Sequence, residues 1–124
     1  MMNKILIIED DQILVQMYET KFKHAGFEVE TALDGVTGLE KMRTDKPDFV
    51  LLDIVMPKLS GKDLFEKVRF DPELQKIPIA ILTNVDNPKE QAEYLNKGAV
   101  GYFKKSVLTP AQVVEEVRNI LIHG

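Results

Sequence analysis

Three stretches of this chain are apolar without interruption: Ile5-Leu6-Ile7-Ile8, Phe49-Val50-Leu51-Leu52 and Ile79-Ala80-Ile81-Leu82. Each is short and rich in branched residues, so each reads as a strand buried on both faces. Such a strand needs cover on two sides, and the segments between the runs must supply it. Those segments carry helical spacing, so the chain predicts a parallel sheet with helices on both faces.

The first strand is expected over Lys4–Glu9. A helix follows over Asp11–Ala25, with Leu14, Tyr18, Phe22 and Ala25 on one stripe and Gly26 as its stop. Residues 27–32 alternate apolar and polar, as a strand exposed on one side would. Asp34 can cap a second helix over Gly35–Thr44, and Pro47 precedes the Phe49–Leu52 strand. Ser60-Gly61-Lys62-Asp63 resembles a capping box before a helix over Asp63–Arg69, which Asp71-Pro72 breaks. A fourth strand is expected over Pro78–Leu82. Asn87-Pro88 then caps a helix to Lys97, stopped by Gly98. Val100–Phe103 reads as a short fifth strand, and Thr109-Pro110 opens a last helix carrying Val113, Val114, Val117, Ile120 and Leu121. The continuous runs belong in the centre and the other two strands at the edges. That arrangement is α/β, a doubly wound five-stranded parallel sheet of order 2-1-3-4-5, the flavodoxin-like (βα)5 plan.

The 124 residues are the length of one domain, expected to occupy 1–124 with no output domain in this chain. There is no cysteine, and His24 and His123 are the only histidines, so thiolate and histidine-based zinc sites are excluded. A net charge of −4 argues against a nucleic-acid surface. No apolar stretch reaches the length of a membrane span, and the start carries no signal-peptide pattern. A soluble, cytoplasmic domain with no direct nucleic-acid or membrane contact is the expectation.

Parallel strands share one carboxyl edge, where open α/β sheets place their ligands. The residues expected there are Glu9-Asp10, Asp53, Thr83-Asn84 and Lys104-Lys105. Each has an ordinary reading alone. Asp11 is the expected cap of the first helix, Asp53 could cap a turn, Thr83 suits any strand, and Lys105 suits any surface. Their coincidence on one edge of neighbouring strands is what argues for a site. Three converging carboxylates repel one another unless a hard cation lies between their oxygens.

Several segments resemble, at matching spacings, the receiver domain of bacterial two-component response regulators. They are Ile-Leu-Ile-Ile-Glu-Asp-Asp at 5–11 and Leu-Leu-Asp-Ile-Val-Met-Pro at 51–57 with Gly61. Ile-Leu-Thr at 81–83 and Gly-Ala-Val-Gly-Tyr-Phe-Lys-Lys-Ser at 98–106 complete the set. The resemblance covers essentially the whole chain. It implies that Asp53 accepts a phosphoryl group, and that Glu9, Asp10, Asp53 and the backbone carbonyl of Val55 hold Mg²⁺, or Mn²⁺ in its place. It implies that Lys105 pairs with the phosphoryl group, that the Thr83 hydroxyl moves onto it, and that Tyr102 follows Thr83 as a switch. In that family the positions of Val55 and Val85 flank the path of the hydrolytic water, so the resemblance implies that these two residues tune the lifetime. The implied partners are a sensor histidine kinase or phosphotransfer protein, and a downstream protein target or linked output domain. A phosphorylation-dependent dimer is a further option. The chain would be a phosphoacceptor that promotes its own phosphorylation and dephosphorylation rather than an enzyme.

Four positions depart from the family pattern. Ser106 stands where proline often follows the lysine, Asn84 replaces a small alanine, and Val100-Gly101 lacks the acids that one subfamily uses in dimer salt bridges. Other readings compete. A flavin or nucleotide binder on this fold needs a phosphate-accepting loop after the first strand, where this chain has Glu9-Asp10-Asp11. A haloacid-dehalogenase-like phosphatase needs an Asp-x-Asp pair, and Asp53-Ile54-Val55 lacks the second acid. A receiver-like docking module acting without phosphorylation is the remaining alternative.

Overall fold

The computed structural model describes residues 3–123; Met1, Met2 and Gly124, at the ends of the expected domain, lie outside the described residues. Five strands form one parallel sheet: β1 (Lys4–Ile8), β2 (Glu28–Ala32), β3 (Phe49–Leu52), β4 (Ile79–Thr83) and β5 (Gly101–Lys104). Their order is β2-β1-β3-β4-β5, as the burial pattern predicts. Helices α1 (Gln12–His24), α2 (Gly35–Asp45), α3 (Gly61–Arg69), α4 (Pro88–Asn96) and α5 (Pro110–His123) connect or follow them.

Strand alternation divides the core in two. Leu6, Ile8, Val50, Leu52, Ile79 and Ile81 face Met42 of α2, Leu64, Phe65 and Val68 of α3, and Tyr94 of α4. Ile5, Ile7, Phe49, Leu51, Ala80 and Leu82 face Tyr18 and Phe22 of α1, and Val113, Val114 and Val117 of α5. Side chains in β1, β3 and β4 are buried almost throughout, which is why these strands read as unbroken apolar runs.

The helix starts are set by short polar side chains. Asp11 accepts from the N–H groups of Ile13 and Leu14, and Asp34 from that of Thr37. Asn87 accepts from the N–H of Glu90, and Thr109 and Gln112 cap each other's backbones reciprocally.

Several local expectations need correction, and among them the fourth strand runs one residue later than expected, over Ile79–Thr83. The first strand ends at Ile8, so Glu9 begins the following loop. The third helix starts at Gly61, because Ser60 caps the Asp63 N–H and residues 61–63 form its first turn. The fifth strand runs one residue later than expected, where Thr83 pairs with Lys104. Residues 28–32 do not alternate cleanly, since Val29, Glu30 and Thr31 are all half-buried while Lys41 reaches the Thr31 carbonyl. A 3₁₀ turn over Leu74–Lys76, which hydropathy spacing does not signal, buries Leu74 under an Asp71 cap.

Gly61 controls the loop between β3 and α3. Its N–H donates to the Ile54 carbonyl at 2.8 Å, and a Cβ here would meet the Asp53 carbonyl oxygen at 1.9 Å and Ile54 Cα at 2.7 Å. Both obstacles are backbone, so neither can swing aside. Gly61→Ala is therefore expected to destabilise the fold by about 1–3 kcal/mol through overpacking. Urea unfolding should show a lower midpoint, and an unchanged midpoint would contradict the close approach.

Candidate functional site

Parallel register aligns the strand ends. Ile8 pairs with Leu52, so Glu9 and Asp53 leave adjacent strands side by side. Backbone bonds fix both departures: the Asp53 N–H donates to the Ile8 carbonyl at 2.9 Å, and the Glu9 N–H to the Ala32 carbonyl at 3.0 Å. Asp10 lies next to Glu9 and is exposed. Carboxylate oxygens of Glu9, Asp10 and Asp53 lie within 4.8 Å of one another. On β5, Lys105 follows the strand and its ammonium enters the same place, against Glu9 Oε1 and 3.5 Å from Asp53 Oδ1.

Burial makes this an unusual cluster. Glu9 is 1% exposed and Asp53 5% exposed. Isolated carboxylates that deep would be strongly disfavoured as ions. Loss of water is the largest influence on both. It pushes Glu9 up to about 7, although Lys105 and the Asp11 N–H pull it down. It also raises Asp53 above the usual carboxylate range, against the pull of the Lys105 ammonium. The Asp11 N–H donates to Glu9 Oε2 at 3.1 Å. Glu9 Oε1 accepts no well-directed hydrogen bond and has the Lys105 ammonium as its counter-charge.

Three carboxylates beside one ammonium leave two formal negative charges in an all-oxygen donor set. Those residues fit a hard divalent cation and not zinc, which prefers nitrogen and sulfur.

The other expected residues form a second group. Thr83 ends β4 and is 1% exposed. Its Oγ1 accepts from the Val85 N–H at 3.1 Å, while the Tyr102 hydroxyl donates to the Val85 carbonyl at 3.1 Å. Val85 is half-buried; Val55 is exposed in the loop after Asp53, and its N–H reaches Asp53 Oδ1 at 3.4 Å. Among the described residues, no side-chain hydrogen bond joins Thr83 to the acids. The groups meet through backbone, where the Lys105 N–H donates to the Thr83 carbonyl at 2.8 Å. Asn84 is exposed beside them, and no cis peptide bond occurs in the described residues, the Lys105-Ser106 bond included.

The family resemblance selects Lys105 over Lys104, and strand alternation sends the two side chains in opposite directions, but neither finds the partner of Lys104. Lys104 Nζ bonds Asp86 Oδ1 at 2.6 Å. Asp86 sits in a loop whose geometry only the fold supplies.

The raised Glu9 value has a definite sign. A folded-state value of about 7 against an ordinary 4.5 means the folded chain binds this proton more tightly. The resulting stability is complete below about 4.5 and is lost as pH rises through about 7. In chelator-treated protein, Glu9→Gln should therefore gain stability relative to wild type between pH 5 and pH 8. Urea unfolding at the two pH values measures this, and parallel behaviour of the two proteins would contradict it.

Comparison with known proteins agrees with this geometry. A family model described as the response regulator receiver domain matches residues 5–118. The alkaline phosphatase synthesis transcriptional regulatory protein PhoP of Bacillus subtilis is 33% identical over 121 residues, covering 98% of this chain and 49% of that protein. Response regulator PleD of Caulobacter vibrioides is 33% identical over 104 residues, covering 84% of this chain and 23% of PleD. The chain thus spans less than half the length of either relative. The solved chemotaxis response regulator CheY4 of Vibrio cholerae is similar with a TM-score of 0.87 at 29% identity, covering 97% of this chain and 99% of that one. The receiver domain of the Francisella response regulator 1452 is similar with a TM-score of 0.87 at 27% identity, covering 95% of each. With its five-stranded order, its carboxyl-edge acids and a family match over nearly its full length, the chain belongs to the response regulator receiver domain family.

Proposed function

We propose that Asp53 accepts a phosphoryl group from a sensor histidine kinase or phosphotransfer protein, in a reaction that requires Mg²⁺ or Mn²⁺. The observation that carries this reading is the buried Asp53 carboxylate, held 3.5 Å from the Lys105 ammonium and beside two further acids. An Asp53 carboxylate oxygen forms a bond to phosphorus, and the phosphorus–nitrogen bond of the donor histidine breaks, its electron pair returning to the imidazole. The product is an acyl phosphate.

Phosphoryl transfer depends mainly on positioning and charge neutralisation. Glu9, Asp10, Asp53 and the Val55 carbonyl would hold the divalent cation, whose charge would offset that of the phosphoryl oxygens. Lys105 supplies a second positive charge beside Asp53. The Thr83 hydroxyl, already accepting from Val85, keeps its own proton to donate to a phosphoryl oxygen. Exposed Ile13, Val55 and Val107 lie in segments at the same carboxyl edge and offer a docking protein apolar contact. Movement of Thr83 would be relayed to Tyr102 through Val85, altering the surface that a target or linked output domain reads. A cytoplasmic location belongs to this reading; among the described residues, no helix is long and apolar enough to cross a membrane. A docking module without phosphoryl chemistry would gain nothing from burying two acids against their desolvation cost.

Acetyl phosphate with Mg²⁺ should add one phosphoryl group to the wild-type chain by intact mass. Asp53→Asn, or removal of the cation by chelator, should abolish the adduct. Equal labelling of Asp53→Asn would overturn the assignment.

Val55 and Val85 would set how long the adduct lasts, since neither side chain can orient a hydrolytic water. The double variant Val55→Asn, Val85→Glu should lose its phosphoryl group faster than wild type once donor is removed. Decay at the same rate or more slowly would show that these side chains do not set the lifetime.

A further inference from the structure

Lys104 ends β5 and Lys105 follows it, and the two side chains diverge. Lys105 enters the acid cluster, whereas Lys104 crosses to Asp86 on the side where Tyr102 lies. Asp86 directly follows Val85, whose N–H and carbonyl are held by Thr83 and Tyr102. Side chains from two strands therefore grip two consecutive residues of the loop between β4 and α4. Elsewhere in that loop Asn84 is exposed, and Asn87 is tied to α4 by the N–H groups of Glu90 and Gln91.

The ordinary reading is a surface ion pair of small consequence. Asp86 is 74% exposed and Lys104 30%, and pairs of this kind contribute little to global stability. A local equilibrium is a different matter. A four-residue loop moves between arrangements separated by small free energies, so a weak contact can change their populations severalfold. The contact also bears on chemistry: while Val85 is gripped, its N–H fills one acceptor position of the Thr83 hydroxyl and so orients the proton that remains.

We propose that Lys104 is a positioning residue whose ion pair with Asp86 holds the loop between β4 and α4, and thereby orients the Thr83 hydroxyl toward the phosphoryl group on Asp53. This rests on the phosphoacceptor reading of Asp53 and adds a residue which that reading does not use.

The test compares Lys104→Met, Lys104→Arg and the exchanged pair Asp86→Lys, Lys104→Asp. Methionine keeps the apolar stem and removes the charge. In the free protein, amide hydrogen exchange at Val85 should quicken about two- to fivefold in Lys104→Met, with shifted Tyr102 ring signals. Phosphoryl uptake from acetyl phosphate should slow by a similar factor. Lys104→Arg and the exchanged pair should restore both, with thermal midpoints unchanged throughout. Wild-type exchange and uptake in Lys104→Met would overturn the proposal, as would an exchanged pair that stays impaired like Lys104→Met. Should the wild type take up no phosphoryl group, the functional reading falls, and the exchange data alone decide whether the pair holds the loop.

Discussion

The site depends on the parallel pairing of β1 with β3. Ile5 to Ile8 lie beside Phe49 to Leu52, all eight side chains buried, and a one-residue slip would move every side chain to the wrong layer. The hydrophobic core thus enforces the register, and the register places Glu9 beside Asp53. No interaction between the acids is needed to bring them together. Their mutual repulsion is overridden by the burial of two apolar strands and offset locally by Lys105.

Close backbone approaches then shape what surrounds the acids. Gly61 lets the turn into α3 lie against Asp53 and Ile54. At Gly35 a Cβ would meet the Leu59 carbonyl oxygen at 1.9 Å, so the start of α2 leans on the same loop. The Asp34 cap of α2 also sits 3.6 Å from Lys58, which adopts a left-handed φ of 67°. Bonds to Thr37 and the Lys58 charge hold Asp34 below its ordinary value, despite some loss of hydration. The acid-bearing loop is therefore braced on two sides by backbone contacts that tolerate no larger residue.

Electrostatics divides the carboxyl edge into two regions. Around Glu9 and Asp53, desolvation dominates and raises both carboxyls, while the Lys105 ammonium pulls them down. Around Thr83, Val85 and Tyr102, neutral hydrogen bonds dominate and the loop is held by contacts that can exchange partners. The first region suits charge neutralisation and the second suits conformational response. Lys105 joins them, with its side chain among the acids and its N–H on the Thr83 carbonyl.

The amino-acid sequence alone reveals the layer plan and the strand order, because burial on two faces leaves unbroken apolar runs that hydropathy displays directly. It also located Glu9, Asp10, Asp53, Thr83 and Lys105 at one edge, since residues ending parallel strands must share it. It separated Asp11, a helix cap, from its acidic neighbours because capping is a local interaction with a local signature. Tertiary structure decided the rest. That Lys105 lies against Glu9 as well as Asp53, that Val85 is gripped from both strands, and that Lys104 finds Asp86 eighteen residues away all depend on distances across the fold. Loop conformation arises from backbone packing and steric fit, which leave no periodicity in the chain, so only the folded molecule reveals which side chains meet.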